Sequence, residues 1–511
     1  MPQFAGRNCG RRAHKYLMDE NELRVAVERF LESSREPALL EPGEQPFALR
    51  EGAYELDSRN GRVVIQVWDE RRTLTRRVVG VLAQRPGRLE LTIERFGKQR
   101  GEVLLVDMAR ARADTERRGA RLVFREQFGR FLWRQFPDWK IAELSAEANL
   151  EESLSPAYPR ALLRKGGTGW AALAAPPEPG SGAGALTFGL IWLDYLRRRE
   201  RRLAVEGLAI FLPDSDARAT CLRLALLEPR AAKFEVFVYD ASGREQRADT
   251  RDFGNLDASL EHHAGAPPEQ AAGPAAWAAR LCELPDVERI ARGDGTASLR
   301  VHGLEFARLT RTELLFGLER KKAAREGDLA EIERLARELA RLRSPGAADR
   351  DHPLFRLHPE GWLESHVRAN VQAIDATLVP QPVYGQTPVF AGGERGVIDL
   401  LAADYTGRLA VLELKASEDI HLPLQALDYW MRVRHHAQRG EFAARGYFPG
   451  MALRADPPRL LLVAPSLDFH PKTETILRYF SREIEVERVG VNADWRAGIQ
   501  VMFRLRGAQR A

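Results

Sequence analysis

The chain has 511 residues, 44% hydrophobic and 29% charged, enough for roughly three domains at the usual domain size. Its 77 Lys+Arg against 72 Asp+Glu leave a formal charge of +5, too small to mark a uniformly basic nucleic-acid binder. Cys9, Cys221 and Cys282 lie far apart without a CxxC pair, which argues against a disulfide framework or a zinc knuckle and points to a reducing, cytoplasmic setting. No apolar run approaches the roughly 20 residues of a membrane span, so no membrane partner is expected.

Taken in chain order, residues 21–33 (NELRVAVERFLES) predict a short amphipathic helix. Residues 45–108 then alternate with period two between turn signals at Ser58–Gly61 and Arg85–Gly87, as a small antiparallel β unit would. Residues 61–125 hold an excess of about eight positive charges, either a phosphate-contacting face or a solvated one. From 122 to 145 the apolar spacing is helical. RALLRKGGTGWAALAAP then reads as strands, 176–185 as a Pro/Gly/Ala link, LTFGLIWLDYLRRRERR as a helix, and GLAIFLP and KFEVFVYD as strands. Residues 255–280 have the composition of a linker, and Leu329, Ile332, Leu335, Leu339 and Leu342 form the seam of a charged connector helix.

The chemistry is concentrated in residues 358–440, where a helix (HPEGWLESHVRANV) is followed by the hairpin GVIDLLAADYTGRLAVLELKAS and a second helix, LPLQALDYWMRVRHH. Pairing centred on Thr406 places Asp399 opposite Glu413. Alternation puts Glu413 and Lys415 on one strand face and Leu412 and Leu414 on the other. Two opposed carboxylates on a buried strand repel and lack solvent, at a cost of several kcal/mol unless a cation or proton offsets it. Oxygen ligands from such a pair suit Mg²⁺, which keeps part of its water shell, or Mn²⁺. Lys415 is placed to hold an attacking water or neutralise developing phosphorane charge. The adjacent His435 and His436 point in different directions on a helix and make a poor ligand pair, so surface or phosphate-contacting roles are expected of them. His366 and His421 are expected to be satisfied locally.

Asp399 followed by Glu413-Leu414-Lys415 resembles the PD-(D/E)xK nuclease superfamily. Gln425-Ala-Leu-Asp-Tyr429 resembles the Q-x-x-x-Y motif of its RecB-like branch, and the hairpin is similar to the nuclease domain of NucS-like endonucleases. Val397-Ile398 stands where the superfamily's name has a proline. The resemblance implies a restriction-endonuclease-like αβββαβ core and a metal shell of Asp399 and Glu413 extended by Glu364. It also implies that Gln425 and Tyr429 act on the substrate side.

An internal similarity runs at an offset of about 238 residues, laying Thr168-Gly169 on Thr406-Gly407 and Leu193-Asp194-Tyr195 near Leu427-Asp428-Tyr429. On it Glu126 falls on Glu364, but Ala161, Ala175, Pro177 and Ile191 fall on Asp399, Glu413, Lys415 and Gln425. The expected organisation is mixed α/β. It comprises a basic β-rich domain over 1–118, a degenerate nuclease-like domain over 119–250, a linker with a helical connector over 251–350, and a nuclease domain over 351–511. The expected activity is metal-dependent hydrolysis of DNA phosphodiesters. The alternatives are a catalytically weak DNA-binding scaffold, or a nuclease for RNA or for branched or mismatched DNA. The two similar domains are expected to form an intramolecular pseudo-dimer, or the chain a homodimer.

Overall fold

The computed structural model describes residues 20–507 except 42–46, 51–52, 59–62, 69–72, 95–99, 179, 252–257, 264–270, 292–294 and 392–393. It is mixed α/β and divides into two units after Phe124. In the first unit, helix α1 (Glu20–Ser33) buries Leu23, Val27 and Phe30 in the core of an antiparallel sheet. Its strands are β1 (Pro37–Leu40), β2 (Phe47–Ala48), β3 (Tyr54–Ser58), β4 (Val63–Trp68), β5 (Thr73–Arg85), β6 (Arg88–Glu94) and β7 (Arg100–Asp107), in the order β2-β1-β7-β6-β5-β4-β3. The strict buried/half-buried alternation of β4 is what period-two patterning dictates.

Helix α2 (Met108–Gln135) ends just before Pro137. The helical pattern read through residue 145 is therefore cut short, because proline cannot continue the hydrogen-bond ladder, and Lys140–Ser145 forms strand β8 instead. The sheet continues through β9 (Arg160–Lys165), β10 (Thr168–Ala174), β11 (Ala204–Pro213), β12 (Lys233–Tyr239) and β13 (Glu245–Ala248), with helix α3 (Ala185–Arg199) between β10 and β11 and α4 (Ala217–Leu224) between β11 and β12. The strands lie in sequence order, with β10, β11 and β12 mutually parallel and the other neighbours antiparallel.

Residues 258–343 differ most from the expected linker and connector. After β14 (Ala258–Leu260), helix α5 (Ala272–Cys282) is followed by β15 (Val287–Ala291), β16 (Ala297–Val301), β17 (Leu304–Leu309), β18 (Leu314–Phe316) and β19 (Lys322–Ala323). These five strands form an antiparallel sheet. The charged helix α6 (Leu329–Leu342) does form, and it buries Ile332, Ala336 and Leu339 against that sheet together with Ala278 and Leu281 of α5.

The last block comprises α7 (Pro353–Arg356), α8 (Pro359–Ala369), β20 (Tyr384–Ala391), β21 (Glu394–Ala403), β22 (Leu409–Leu414), α9 (Leu422–Gln438), α10 (Glu441–Ala444), β23 (Arg459–Pro465), α11 (Thr473–Leu477), β24 (Val486–Val491) and β25 (Val501–Arg506). With β14 at its edge, its sheet runs β14-β20-β21-β22-β23-β24-β25. From β20 onward, strand order and pairing sense repeat those of β8 to β13: two antiparallel steps, two parallel steps, one antiparallel step.

The two like sheets share one apolar core, to which Leu186 and Leu190 of α3 and Leu424, Leu427 and Trp430 of α9 all belong. The join is reciprocal. Leu227, beyond α4, bridges Phe480, beyond α11; the Glu228 N–H donates to the Tyr479 carbonyl at 2.8 Å and the Ser481 N–H to the Leu226 carbonyl at 3.0 Å.

Candidate active site

The turn between β21 and β22 sets the site. The Asp404 N–H donates to the Arg408 carbonyl at 2.9 Å, and Gly407 adopts φ 82°, which only glycine takes at little cost. Leu400 pairs with Leu412 and Ala403 with Leu409, so the register continues to Asp399 opposite Glu413, as the sequence predicts. Leu412 and Leu414 pack on the face covered by α8 and Val411 on the face covered by α9. This alternation aims Glu413 and Lys415 toward α9.

Glu413 is buried, and its Oε2 has no hydrogen-bond partner among the described residues. The Leu414 N–H donates to Asp399 Oδ2 at 2.9 Å. Burial pushes the Asp399 carboxyl up to about 6, against the opposing pull of the Leu414 N–H and Lys415. Burial, then the charge of Asp399, raises Glu413 well above the usual carboxylate range. Lys415 Nζ lies 3.6 Å from Glu413 Oε1 and 3.7 Å from Asp419 Oδ2. Burial disfavours its charge, but Glu413, Glu360, Asp399 and Asp419 outweigh that and raise its pKa. The site is thus a pair of carboxyl groups short of positive charge, with one ammonium beside them.

Tyr429 on α9 also reaches this group: its phenol is held protonated by burial and then by the charges of Glu413 and Asp399. Gln425, one helical turn earlier, is partly buried on the same side of α9. Glu364 is buried on α8 and shares with Asp399 an open cavity of about 670 Å³. Arg300 NH1 lies 3.6 Å from its Oε2 and Arg368 Nε 3.9 Å from its Oε1. Among the described residues no three His, Cys, Asp or Glu side chains come together as a metal-holding group. Helix α8 covers the sheet face opposite α9, so Glu364 shares the cavity with Asp399 without joining the carboxylate pair.

Three groups of this region escaped the sequence reading. Glu360 acts electrostatically on Asp399, Glu413 and Lys415, and its place one turn before Glu364 was the available signal. Asp419 and Arg300 had none, the latter lying on a strand read as linker. Of the histidines, His421 is met locally, its Nδ1 3.2 Å from Thr187 Oγ1; the buried His366 Nε2 has no hydrogen-bond partner among the described residues, and His436 is fully buried, its Nδ1 2.6 Å from Glu441 Oε2, which rules out a surface or phosphate-contacting role for it.

In the first of the like sheets the same positions can be read from the ladder. The Ala175 N–H donates to the Phe211 carbonyl at 2.9 Å as the Lys415 N–H does to Val463 at 3.0 Å. Both acceptors stand two residues before the strand-ending Pro213 and Pro465. Ala175 therefore stands for Lys415; Leu173, which pairs with Ile210 as Glu413 pairs with Leu462, stands for Glu413. Arg160, opposite Leu173, stands for Asp399. This shifts the sequence alignment by one to two residues: Ala161 and Pro177 leave the Asp399 and Lys415 positions, and Ala175 moves from Glu413 to Lys415. The anchoring Thr168-Gly169 opens strand β10, whereas Thr406-Gly407 lies inside a turn. Glu126 is exposed, unlike the buried Glu364.

Compared with models of known protein families and with curated proteins, the chain matches none. Among the described residues no helix is long and apolar enough to cross a membrane.

Proposed function

We propose that the chain is a metal-dependent nuclease that hydrolyses DNA phosphodiesters at Asp399, Glu413 and Lys415. The observation that carries this reading is the carboxyl pair: a buried Glu413 oxygen without a hydrogen-bond partner facing Asp399, both raised toward protonation, with Lys415 3.6 Å away. Such a pair fits a divalent ion such as Mg²⁺ or Mn²⁺, whose charge removes the reason for the raised pKa values. The element order α8-β20-β21-β22-α9-β23 supports the same reading, since it is the αβββαβ order of the PD-(D/E)xK core.

Asp399 and Glu413 would hold the ion, which when bound supplies an activated water and charge neutralisation at phosphate. Lys415, kept protonated by its acidic neighbours, orients the nucleophile or meets charge developing on the phosphoryl oxygens. Tyr429 stays a neutral donor beside the pair, and Gln425 lies on its side of α9 for the substrate. Glu364, engaged by Arg300, contributes from across the cavity. Arg160, Leu173 and Ala175 leave the first sheet without carboxylates at these positions, and its role is structural support.

The test is incubation of the purified chain with single- and double-stranded DNA and with RNA, in Mg²⁺ or Mn²⁺, beside Asp399→Ala and Lys415→Ala. Metal-dependent cleavage lost in both variants supports the assignment. Cleavage that survives either substitution overturns it, and binding without cleavage by the unsubstituted chain favours a scaffold.

A further inference from the structure

The cavity beside Asp399 has a second wall that the carboxylates do not explain. Strands β16 and β17 and the loop before β19 bring Arg300, Arg308 and Lys321 to it, facing Glu360, Glu364 and Asp399. One carboxylate, Glu305, organises this wall. Its Oε1 accepts Arg308 Nε at 3.0 Å and NH2 at 2.8 Å and faces Lys321 Nζ at 3.1 Å, while its Oε2 accepts the Ser298 hydroxyl at 2.5 Å. Burial opposes the Glu305 charge, but these donors outweigh it and hold the carboxyl down at about 2. Two cations on one carboxylate leave net positive charge, and a guanidinium has more N–H donors than Glu305 engages. Arg308 and Lys321 keep 36% and 23% of their side-chain surface exposed. Arg300 lies deeper, donating from Nε to Ser298 Oγ at 2.9 Å and meeting Glu364 at 3.6 Å, so the two walls join at its guanidinium.

The wall is fixed to α8. Glu288 of β15 bonds both Ser365 and Arg368. Arg343 donates to the carbonyls of Leu354 and Leu357 at 2.6 Å and of His302 at 2.9 Å. Gly303, with φ 76°, lies so close to Gly361 that a Cβ there would overlap the Gly361 carbonyl.

We propose that Arg308 and Lys321, anchored by Glu305 and Arg300, form a phosphodiester-binding wall that takes the nucleic-acid phosphate next to the one at Asp399. This rests on the nuclease reading for its substrate, but its own evidence is the cationic wall and the cavity it faces. A phosphate contacted by a guanidinium and an ammonium gives affinity that falls with salt and carries no base information.

The experiment uses the full chain carrying Asp399→Asn, so that binding is read without cleavage. Fluorescence anisotropy with a labelled oligonucleotide, single-stranded and as duplex, is recorded over a salt series in Mg²⁺. Adding Arg308→Ala/Lys321→Ala is expected to weaken binding at least about tenfold and to lower the salt slope by about two. Arg308→Lys/Lys321→Arg is expected to restore much of both. Lys233→Ala/Arg247→Ala, which removes two cations more exposed than these from the β12-β13 edge, is expected to leave binding unchanged. Unaltered binding in the wall variant, equal loss in the edge variant, or no binding by the parent chain overturns the proposal. If the unsubstituted chain does not cleave while wall-dependent binding holds, the nuclease reading fails and the wall stands. If cleavage holds while the wall variant binds normally, the reverse follows.

Discussion

Arg223 of α4 grips Asp428 of α9 through two parallel hydrogen bonds, Nε to Oδ1 at 2.9 Å and NH2 to Oδ2 at 2.7 Å, and gives a third to the Ala183 carbonyl at 2.9 Å. Asp428 thus lies inside the Gln425–Tyr429 segment yet faces the other sheet rather than the carboxylates. Asp428→Ala leaves a buried guanidinium without its carboxylate, and about 3 kcal/mol of stability should go with it. Chemical denaturation checks this; loss of cleavage without loss of stability would instead place Asp428 in the site.

The Asp399 carboxyl, raised to about 6, makes a signed prediction for the metal-free chain. The folded state holds its proton more tightly than the unfolded state does, so stability is highest below pH 4 as far as this group is concerned and falls as pH rises toward 6. The amplitude is of order 2–3 kcal/mol for a shift of this size, and Glu413 acts in the same direction. Thermal unfolding in chelator at pH 4.5 and 7 should show the loss, and Asp399→Asn should remove much of it. A profile unchanged by the substitution would contradict the burial argument.

At pH 7.5 a divalent ion should recover what the charged pair costs. Adding Mg²⁺ or Mn²⁺ is expected to raise the melting temperature in a concentration-dependent way, as any ligand of the folded state does, and to release protons. Neither effect should survive in Glu413→Gln. An equal rise in that variant would move the ion elsewhere.

Gly303→Ala tests the joint between the β15–β19 sheet and α8. The left-handed backbone and the overlap with Gly361 should together cost more than about 2 kcal/mol. Gly327→Ala, with open space around it, should be close to neutral. Comparable unfolding midpoints for the two would show that the joint adapts.

The Asp399–Glu413 register was legible because a single turn sets it and a one-residue slip would bury the wrong strand face. The repeat was legible from order and spacing, but not its register. Lys165 pairs directly with Thr168 in one hairpin, whereas five residues separate Ala403 from Leu409 in the other. Matching Thr-Gly to Thr-Gly therefore aligned a strand with a turn. The β15–β19 sheet stayed hidden for a different reason. Ala297–Val301 is buried along its whole length with Ser298 and Arg300 inside it, so no alternation announces a strand. The cations of its wall are separated in sequence and come together around Glu305.

The reciprocal seam at Leu227 and Phe480 has a consequence for how the molecule behaves on dilution. Two like sheets that meet as separate chains would part as concentration falls; joined covalently, they stay associated at any concentration. Of the equivalent positions in the two sheets only Asp399 and Glu413 are carboxylates, against Arg160 and Leu173, so the proposed hydrolysis would have a single place in the pair. A duplex would accordingly be nicked once per encounter, and severing both strands would take two visits.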